Sequence, residues 1–330
     1  TGLVGSADAL ALARLAAQAQ PIALLTANAQ DAQRLCNEIL WFAPQLRVCL
    51  LPDWETLPWD NFSPHHDLVS ERLATLYRIQ RGEFDIAVVP APTALARLCP
   101  PAYLAAYTFF IAEGATLDAD ALREQLLTAG YTHVTQVVAP GEYCVRGALI
   151  DLFPMGSVLP YRIERFDDSI DSIRTFDVDT QRTLYKVKEV RLLPAREFPL
   201  DEAGRARFRA RFREVFEGDP SRQGVYRDIS HGTPSAGIEY YLPLFFESVA
   251  TLFDYLPANT TLALHEDVSG AVHQFWLDIQ SRYRLLAGDR ERPLLPPAQI
   301  FIPAEEFFTR ARDYPRLELS GALGSEISAT

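Results

Sequence analysis

No uninterrupted apolar stretch in this 330-residue sequence approaches the ~18–20 residues that a helix needs to cross a bilayer. The opening Thr1-Gly2-Leu3-Val4-Gly5 has no basic segment, no signal-peptide pattern and no initiator Met, and the end from Ser320 to Ser325 is loop-like. A piece of a longer protein is expected. Cysteine is sparse. Cys36, Cys49, Cys99 and Cys144 include no C-x-x-C pair, which argues against a structural zinc cluster. Four reduced thiols in a cytoplasmic protein are expected. Positive charge is short as well: 31 Lys and Arg face 43 Asp and Glu, a formal net charge of −12. Duplex DNA repels such a surface on average, so little or no DNA binding is expected, while net charge leaves the fold open. What is present, 48% hydrophobic and 22% charged residues, is globular composition sufficient for two or three packed units.

The first stretch, residues 1–107, alternates short apolar runs with helical patterns. Pro21 to Thr26, Arg47 to Leu51 and Asp85 to Pro90 read as strands of the kind buried on both faces. Between them, Asn28 to Phe42 and Leu68 to Ile79 place apolar residues at helical steps, so a parallel sheet covered by helices is expected. From 108 to 196 the pattern changes. Asp118 caps a helix through Leu122 and Leu126 that stops at Gly130. Strands are predicted at Thr132 to Val138, Arg146 to Phe153, Tyr161 to Phe166, Ser169 to Phe176 and Lys188 to Leu193, with turns at Pro154 to Ser157 and Asp167-Asp168. This is a mainly antiparallel α+β domain. A helix over Asp201 to Phe216 follows, then a polar stretch from Glu217 to Gly237. Thr261 to His265, a helix from Val268 to Leu285, and Gln299 to Ile302 restore the αβ rhythm. The simplest topology inserts the 108–196 domain into an α/β domain formed by 1–107 and 197–320, with 321–330 a tail or linker.

Chemistry is sought and mostly not found. A phosphate loop needs glycines for close backbone approach, a Lys for the β/γ phosphates and a hydroxyl for magnesium. The candidate is Gly2-Leu3-Val4-Gly5-Ser6-Ala7-Asp8-Ala9 ahead of a helical run. With Gly2 in the first glycine position, Ala7 stands at the last glycine, Asp8 at the lysine and Ala9 at the hydroxyl. A carboxylate in the cation's place repels a triphosphate, and Asp8 reads as a capping or dipole-compensating residue. The stretch from Asp177 lacks the glycine and glutamate of a calcium loop. His65-His66 reads as a solvated loop pair, and there is no G-x-S-x-G elbow. No catalytic residue, cofactor or metal is expected.

Two segments are more specific. One runs Asp53-Trp54-Glu55-Thr56-Leu57-Pro58-Trp59-Asp60-Asn61-Phe62-Ser63-Pro64-His65 and continues through Ser70-Glu71-Arg72-Leu73-Ala74-Thr75-Leu76-Tyr77. The other runs Gly141 to Pro154, followed by Tyr161 to Ile173. Both resemble the bacterial transcription-repair coupling factor family, the second being shared with the excision protein UvrB. Gly237-Ile238-Glu239-Tyr240-Tyr241 is similar to a further element of the family. The resemblance implies a degenerate RecA-like, P-loop-NTPase-like parallel-sheet domain split by an inserted UvrA-binding domain. It also implies a longer protein that contacts RNA polymerase and translocates on duplex DNA with ATPase motors outside this chain. Two departures from UvrB favour the coupling factors: the phosphate loop has lost its residues, and the ~20 residues between Leu51 and Leu73 leave no room for a DNA-clamping hairpin.

Carried over by that resemblance, the UvrA contacts fall on Arg146, Arg162 and Phe166, with Arg165 where an aromatic residue is common. Arg162 and Phe166 are four apart on a strand and so share a side, and Arg and aromatic side chains are frequent interface anchors. Spacing alone is equally served by Phe166 in the core with Arg162 paired to Asp167 or Asp168, and by Arg146 pinning a turn. Asp151 and Asp171 read as strand or turn residues without chemistry. Trp54, Leu57, Trp59 and Phe62 read as a buried structural corner, with a partner platform as the alternative. The functional readings are a non-catalytic UvrA-recruiting adaptor, a UvrB-like nucleotide-dependent remodeller of damaged DNA, or a module that masks its own partner surface.

Overall fold

The computed structural model describes residues 5–17, 20–289 and 291–319. It divides into two compact units. One takes the residues up to Asp60, Thr75–Leu98 and the residues from Ser248 on, and the other takes Asn61–Ala74 and Cys99–Glu247.

The first unit is built on a five-stranded parallel sheet. Its strands β1 (Ile22–Thr26), β2 (Val48–Leu50), β3 (Ile86–Pro90), β12 (Thr261–His265) and β13 (Arg316–Leu319) lie in the order β13-β12-β1-β3-β2. Every residue of β1 and β3 is buried, as unbroken apolar runs require when both faces of a sheet are covered. Helices α1 (Ala7–Ala16) and α2 (Ala29–Phe42) pack on it through Leu12, Leu35 and Ile39. Asn28 caps α2 by accepting the Asp31 N–H at 2.8 Å. Helix α3 (His66–Arg81) follows a segment, 52–65, that contains no strand. Gln299 to Ile302 is not the expected strand. Pro297, with its φ preset, opens a short helix Pro297–Ile300, and Phe301 makes only an isolated bridge to Ala96.

The second unit carries a six-stranded sheet in the order β10-β9-β8-β7-β6-β5, antiparallel except for β5–β6. Its strands are β5 (Thr132–His133), β6 (Glu142–Arg146), β7 (Leu149–Leu152), β8 (Tyr161–Phe166), β9 (Ser169–Phe176) and β10 (Thr183–Val187). A separate pair joins β4 (Phe109–Ala112) to β11 (Glu189–Leu192). Helix α4 (Ala119–Thr128) has the expected Asp118 cap and buries Leu122 and Leu126. The strand expected over Arg146 to Phe153 is present as β7 from Leu149 to Leu152, while Arg146 ends β6 and the two residues after it form the hairpin turn. Gly147 at φ +61° takes the left-handed conformation and turns the chain. The strand expected over Thr132 to Val138 is confined to its first two residues. At Pro154 to Ser157 the turn requires glycine on two counts: Gly156 has φ +80°, and a Cβ there would stand 2.8 Å from that of Ala74.

Helix α5 (Glu202–Val215) starts at an Asp201 cap. It packs Phe208 against Phe245 at 4.9 Å between ring centroids, and Phe198 stacks on the same ring at 4.8 Å. The chain as far as Glu247 belongs to the second unit and the chain from Ser248 on to the first, so the stretch 197–320 is divided between them. Helix α6 (Val268–Leu286) returns to the first unit. Among the described residues no helix is long and apolar enough to cross a membrane, and no His, Cys, Asp or Glu group is arranged to hold a metal. The four cysteines are buried and unbridged.

Candidate functional site

Strand alternation sets up the site. Ile150, Ile163 and Ile173 pair in register across β7, β8 and β9 and are fully buried on one face of the sheet. Their neighbours Asp151 and Arg162, also a register pair, therefore occupy the other face. The Asp151 side chain is 1% exposed, and an isolated carboxylate there would be costly to desolvate. Arg162 answers it with a two-pronged contact, Nε to Oδ1 at 2.7 Å and Nη2 to Oδ2 at 2.9 Å. Arg146 donates from Nη2 to Oδ2 of the same carboxylate. The Arg162 guanidinium also donates to the Gln181 carbonyl at 3.1 Å and lies 4.8 Å from the Phe176 ring centroid. The hydrogen bonds to the Asp151 carboxylate raise the Arg162 pKa above its ordinary value.

The three residues selected in the sequence thus differ in kind. Arg162 is only 15% exposed and is mostly committed to Asp151, whereas Arg146 is half exposed at 51%. Phe166, at the end of β8, is 71% exposed and is not core. Beyond it Asp167 takes φ +52° in the turn to β9. A β-bulge at Asp171 shifts the β8–β9 register between Glu164 and Arg165, a device that adds local twist at the Phe166 end. Arg162 does not pair with Asp167 or Asp168. It is Arg165 that contacts that turn, donating to the Asp167 carbonyl at 3.2 Å. Asp151, read from sequence as a strand residue without chemistry, is the hub that both arginines share. The available signal was a carboxylate inside the apolar run Leu149-Ile150-Asp151-Leu152, which demands a cationic partner.

The described part of the segment read from sequence as a degenerate phosphate loop lies in the first unit. Gly2 falls outside the described residues; Gly5 has φ +62° and precedes α1, whose first turn holds Ala7, Asp8 and Ala9. Asp8 does more than cap. Its Oδ1 accepts the Ala9 N–H at 2.7 Å, and its Oδ2 meets Arg34 Nη2 at 2.9 Å and His265 Nε2 at 2.8 Å. Burial pushes the Asp8 pKa up, but the Arg34, His265 and Ala9 donors outweigh burial and leave it below the ordinary carboxyl range. A depressed pKa in the folded state contributes stability above the unfolded value, and that stability is lost as the pH falls through the folded value. The stability difference between the protein and Asp8→Asn is therefore expected to be about 1–3 kcal/mol and flat from neutral pH down to about 5, shrinking only below the ordinary carboxyl range. Urea unfolding across pH measures it, and a difference already closing near pH 6 would contradict the assignment.

The aromatic segment divides. Trp54 and Trp59 are buried, with Trp59 Nε1 donating to the Leu295 carbonyl at 3.1 Å, while Leu57 and Phe62 are exposed. Left-handed backbone at Glu55 and Trp59, φ 55° and 64°, breaks the expected single cluster.

The segment that holds Asp151 and both arginines matches a family model. Residues 109–198 match the UvrB interaction domain. The whole chain is 46% identical to the transcription-repair-coupling factor of Escherichia coli K12 over 319 residues, covering 96% of this chain and 28% of that protein. Over its length the chain belongs to the transcription-repair-coupling factor family. The coupling factor of Haemophilus influenzae Rd is likewise 46% identical over 315 residues, 94% of this chain and 27% of that protein. That of Bacillus subtilis 168 is 31% identical over 281 residues, 80% of this chain and 24% of that protein. The chain thus spans about a quarter of the length of these relatives and corresponds to the N-terminal part of a coupling factor.

Proposed function

We propose that this chain is the UvrA-recruiting adaptor of a cytoplasmic coupling factor, with Arg146, Arg162 and Phe166 as its docking residues and no catalysis of its own. One observation carries the reading: within the segment that matches the UvrB interaction domain, an exposed phenylalanine and a half-exposed arginine share a sheet with an ion-paired arginine that is rigidly held. A ring and a guanidinium fixed in place lose little freedom on binding, which is what interface anchors require. Asp151 is a positioning residue that acts through Arg162. RNA polymerase and duplex DNA are engaged by other regions of the longer protein, where ATP-driven translocation also resides.

The first unit is read as a RecA-like domain whose nucleotide site has decayed. The parallel strand order and the glycine ahead of α1 support that reading, as does the Asp8 carboxylate where a triphosphate would need a cation. A UvrB-like nucleotide-dependent activity is disfavoured on the same ground.

Calorimetric titration of the chain with purified UvrA tests the proposal. Phe166→Ala, at an exposed position, is expected to weaken binding by about 2 kcal/mol or more with folding unchanged, and Arg146→Ala by about 1–2 kcal/mol. Undiminished affinity in both variants removes the site assignment. Micromolar binding of ATP to the unaltered chain would remove the reading of the first unit.

A further inference from the structure

Although the chain is acidic overall, α5 carries arginine at 205, 207, 209, 211 and 213. Gly204, Phe208 and Phe212 form its buried line. At 3.6 residues per turn, Arg205, Arg209 and Arg213 run along one flank of that line, and Arg207 and Arg211 run along the other. Between the two rows the outward face holds the exposed alanines 203, 206 and 210 and the exposed Glu214, with Glu202 at its start.

Ion pairs with Glu202 and Glu247 account for three of the five guanidinium groups. Arg205 and Arg209 share Glu202 at 2.7 and 2.9 Å, and Glu247 stands 3.8 Å from Arg207. Arg211 donates to the Glu247 carbonyl and Arg213 to that of Arg209, so their hydrogen bonds leave the charge unneutralised. Arg205 Nε is buried without an acceptor. Glu202 and Glu247 are both exposed while Arg205 and Arg209 are about a quarter exposed, and pairs with one partner in solvent hold by about 1 kcal/mol, so a stronger polyanion displaces the glutamates.

We propose that this face of α5 is a docking surface for the phosphate backbone of duplex DNA. Its shape agrees with its charge. A helix is about 10–12 Å across its side chains, and the major groove is about 12 Å wide. Alanines let the helix approach closely, and each arginine row then reaches the phosphates of one strand. Guanidinium forks match phosphate oxygens two at a time. The outward face offers no aromatic or large apolar anchor of the kind protein interfaces use, and the alanines along its middle make no hydrogen bonds to base edges. The contact is therefore electrostatic and indifferent to sequence. Because the arginines neutralise phosphates and release their counterions, the contact is strongly salt-dependent, and the acidic mean charge of the chain conceals it.

The test is fluorescence anisotropy of the 330-residue chain with labelled duplexes of about 20 base pairs, from about 50 to 200 mM salt. Saturable binding is expected at the low end, within about twofold for two unrelated sequences. Arg205→Gln, Arg209→Gln and Arg213→Gln together are expected to weaken it about tenfold or more and to flatten the log–log salt slope by about 2–3, near 0.9 for each phosphate that is no longer neutralised. The matching triple Lys variant should retain most of the slope. If the triple Gln variant loses its native circular dichroism, Arg207→Gln with Arg211→Gln tests the other row, with weakened binding again expected. No saturable binding at low salt, a folded Gln variant that binds as well as the original, or tighter binding to polyglutamate than to the duplex each overturns the proposal.

Discussion

Asp151→Ala is expected to lower folding stability by about 3–5 kcal/mol, far more than its place in a short strand suggests. The carboxylate is almost wholly buried and is the acceptor that both Arg146 and Arg162 share. Without it the Arg162 guanidinium stays mostly buried, left with the Gln181 carbonyl and the Phe176 ring. A desolvated charge without a counter-charge accounts for most of the penalty. Asp151→Asn preserves shape and some hydrogen bonding, so about 1–3 kcal/mol is expected there. Arg146→Ala removes a half-exposed partner and is expected to cost less than about 1 kcal/mol of stability. Urea unfolding of the three variants, followed by a probe in the second unit, gives the ranking. If Asp151→Ala costs no more than Arg146→Ala, the carboxylate is not the hub of this site. The same ranking explains why Arg162→Ala is a poor probe of docking: it damages the support together with the surface.

The second large effect is expected at Arg72, among the bulkiest fully buried side chains. Its Nε contacts Glu197 Oε1 at 2.6 Å and Nη2 reaches Oε2 at 3.4 Å, with both side chains at 3% exposure or less. Glu197→Ala leaves a guanidinium in the interior and is expected to cost about 3–5 kcal/mol. The paired replacement Arg72→Met with Glu197→Leu removes both desolvation penalties at once and is expected to lie within about 1–2 kcal/mol of the original protein. Thermal unfolding of the single and double variants compares them. A single variant as mild as the double would show that the pair is already hydrated or loosely held.

The sequence disclosed those elements whose cause is local. Strands β1 and β3 are unbroken apolar runs, and the Asp118 cap and the Gly130 stop are set by their immediate neighbours. Features set by distant partners stayed hidden. Strand β13, with Arg316 and Glu318 alternating with leucines, becomes a strand through pairing with β12, some fifty residues earlier. Asp151 acquires its meaning from a register that puts Arg162, eleven residues on, beside it. The three-way contact of Asp8, Arg34 and His265 closes over 257 residues of chain, and no periodicity encodes it. At the candidate site, the identities of Arg146, Arg162 and Phe166 came from family resemblance. Which of them is a support and which an exposed anchor depended on burial.

The carboxylate of Asp8 has a further consequence for what this position of the first unit tolerates. By standing among the Ala9 amide, Arg34 and His265, it supplies from within the chain the negative charge that such a cluster of donors attracts. A lysine at this position would set a second cation beside Arg34 and His265 and leave only Asp31 and Glu38 as the carboxylates paired with Arg34, so Asp8→Lys is expected to fold less well than the original protein.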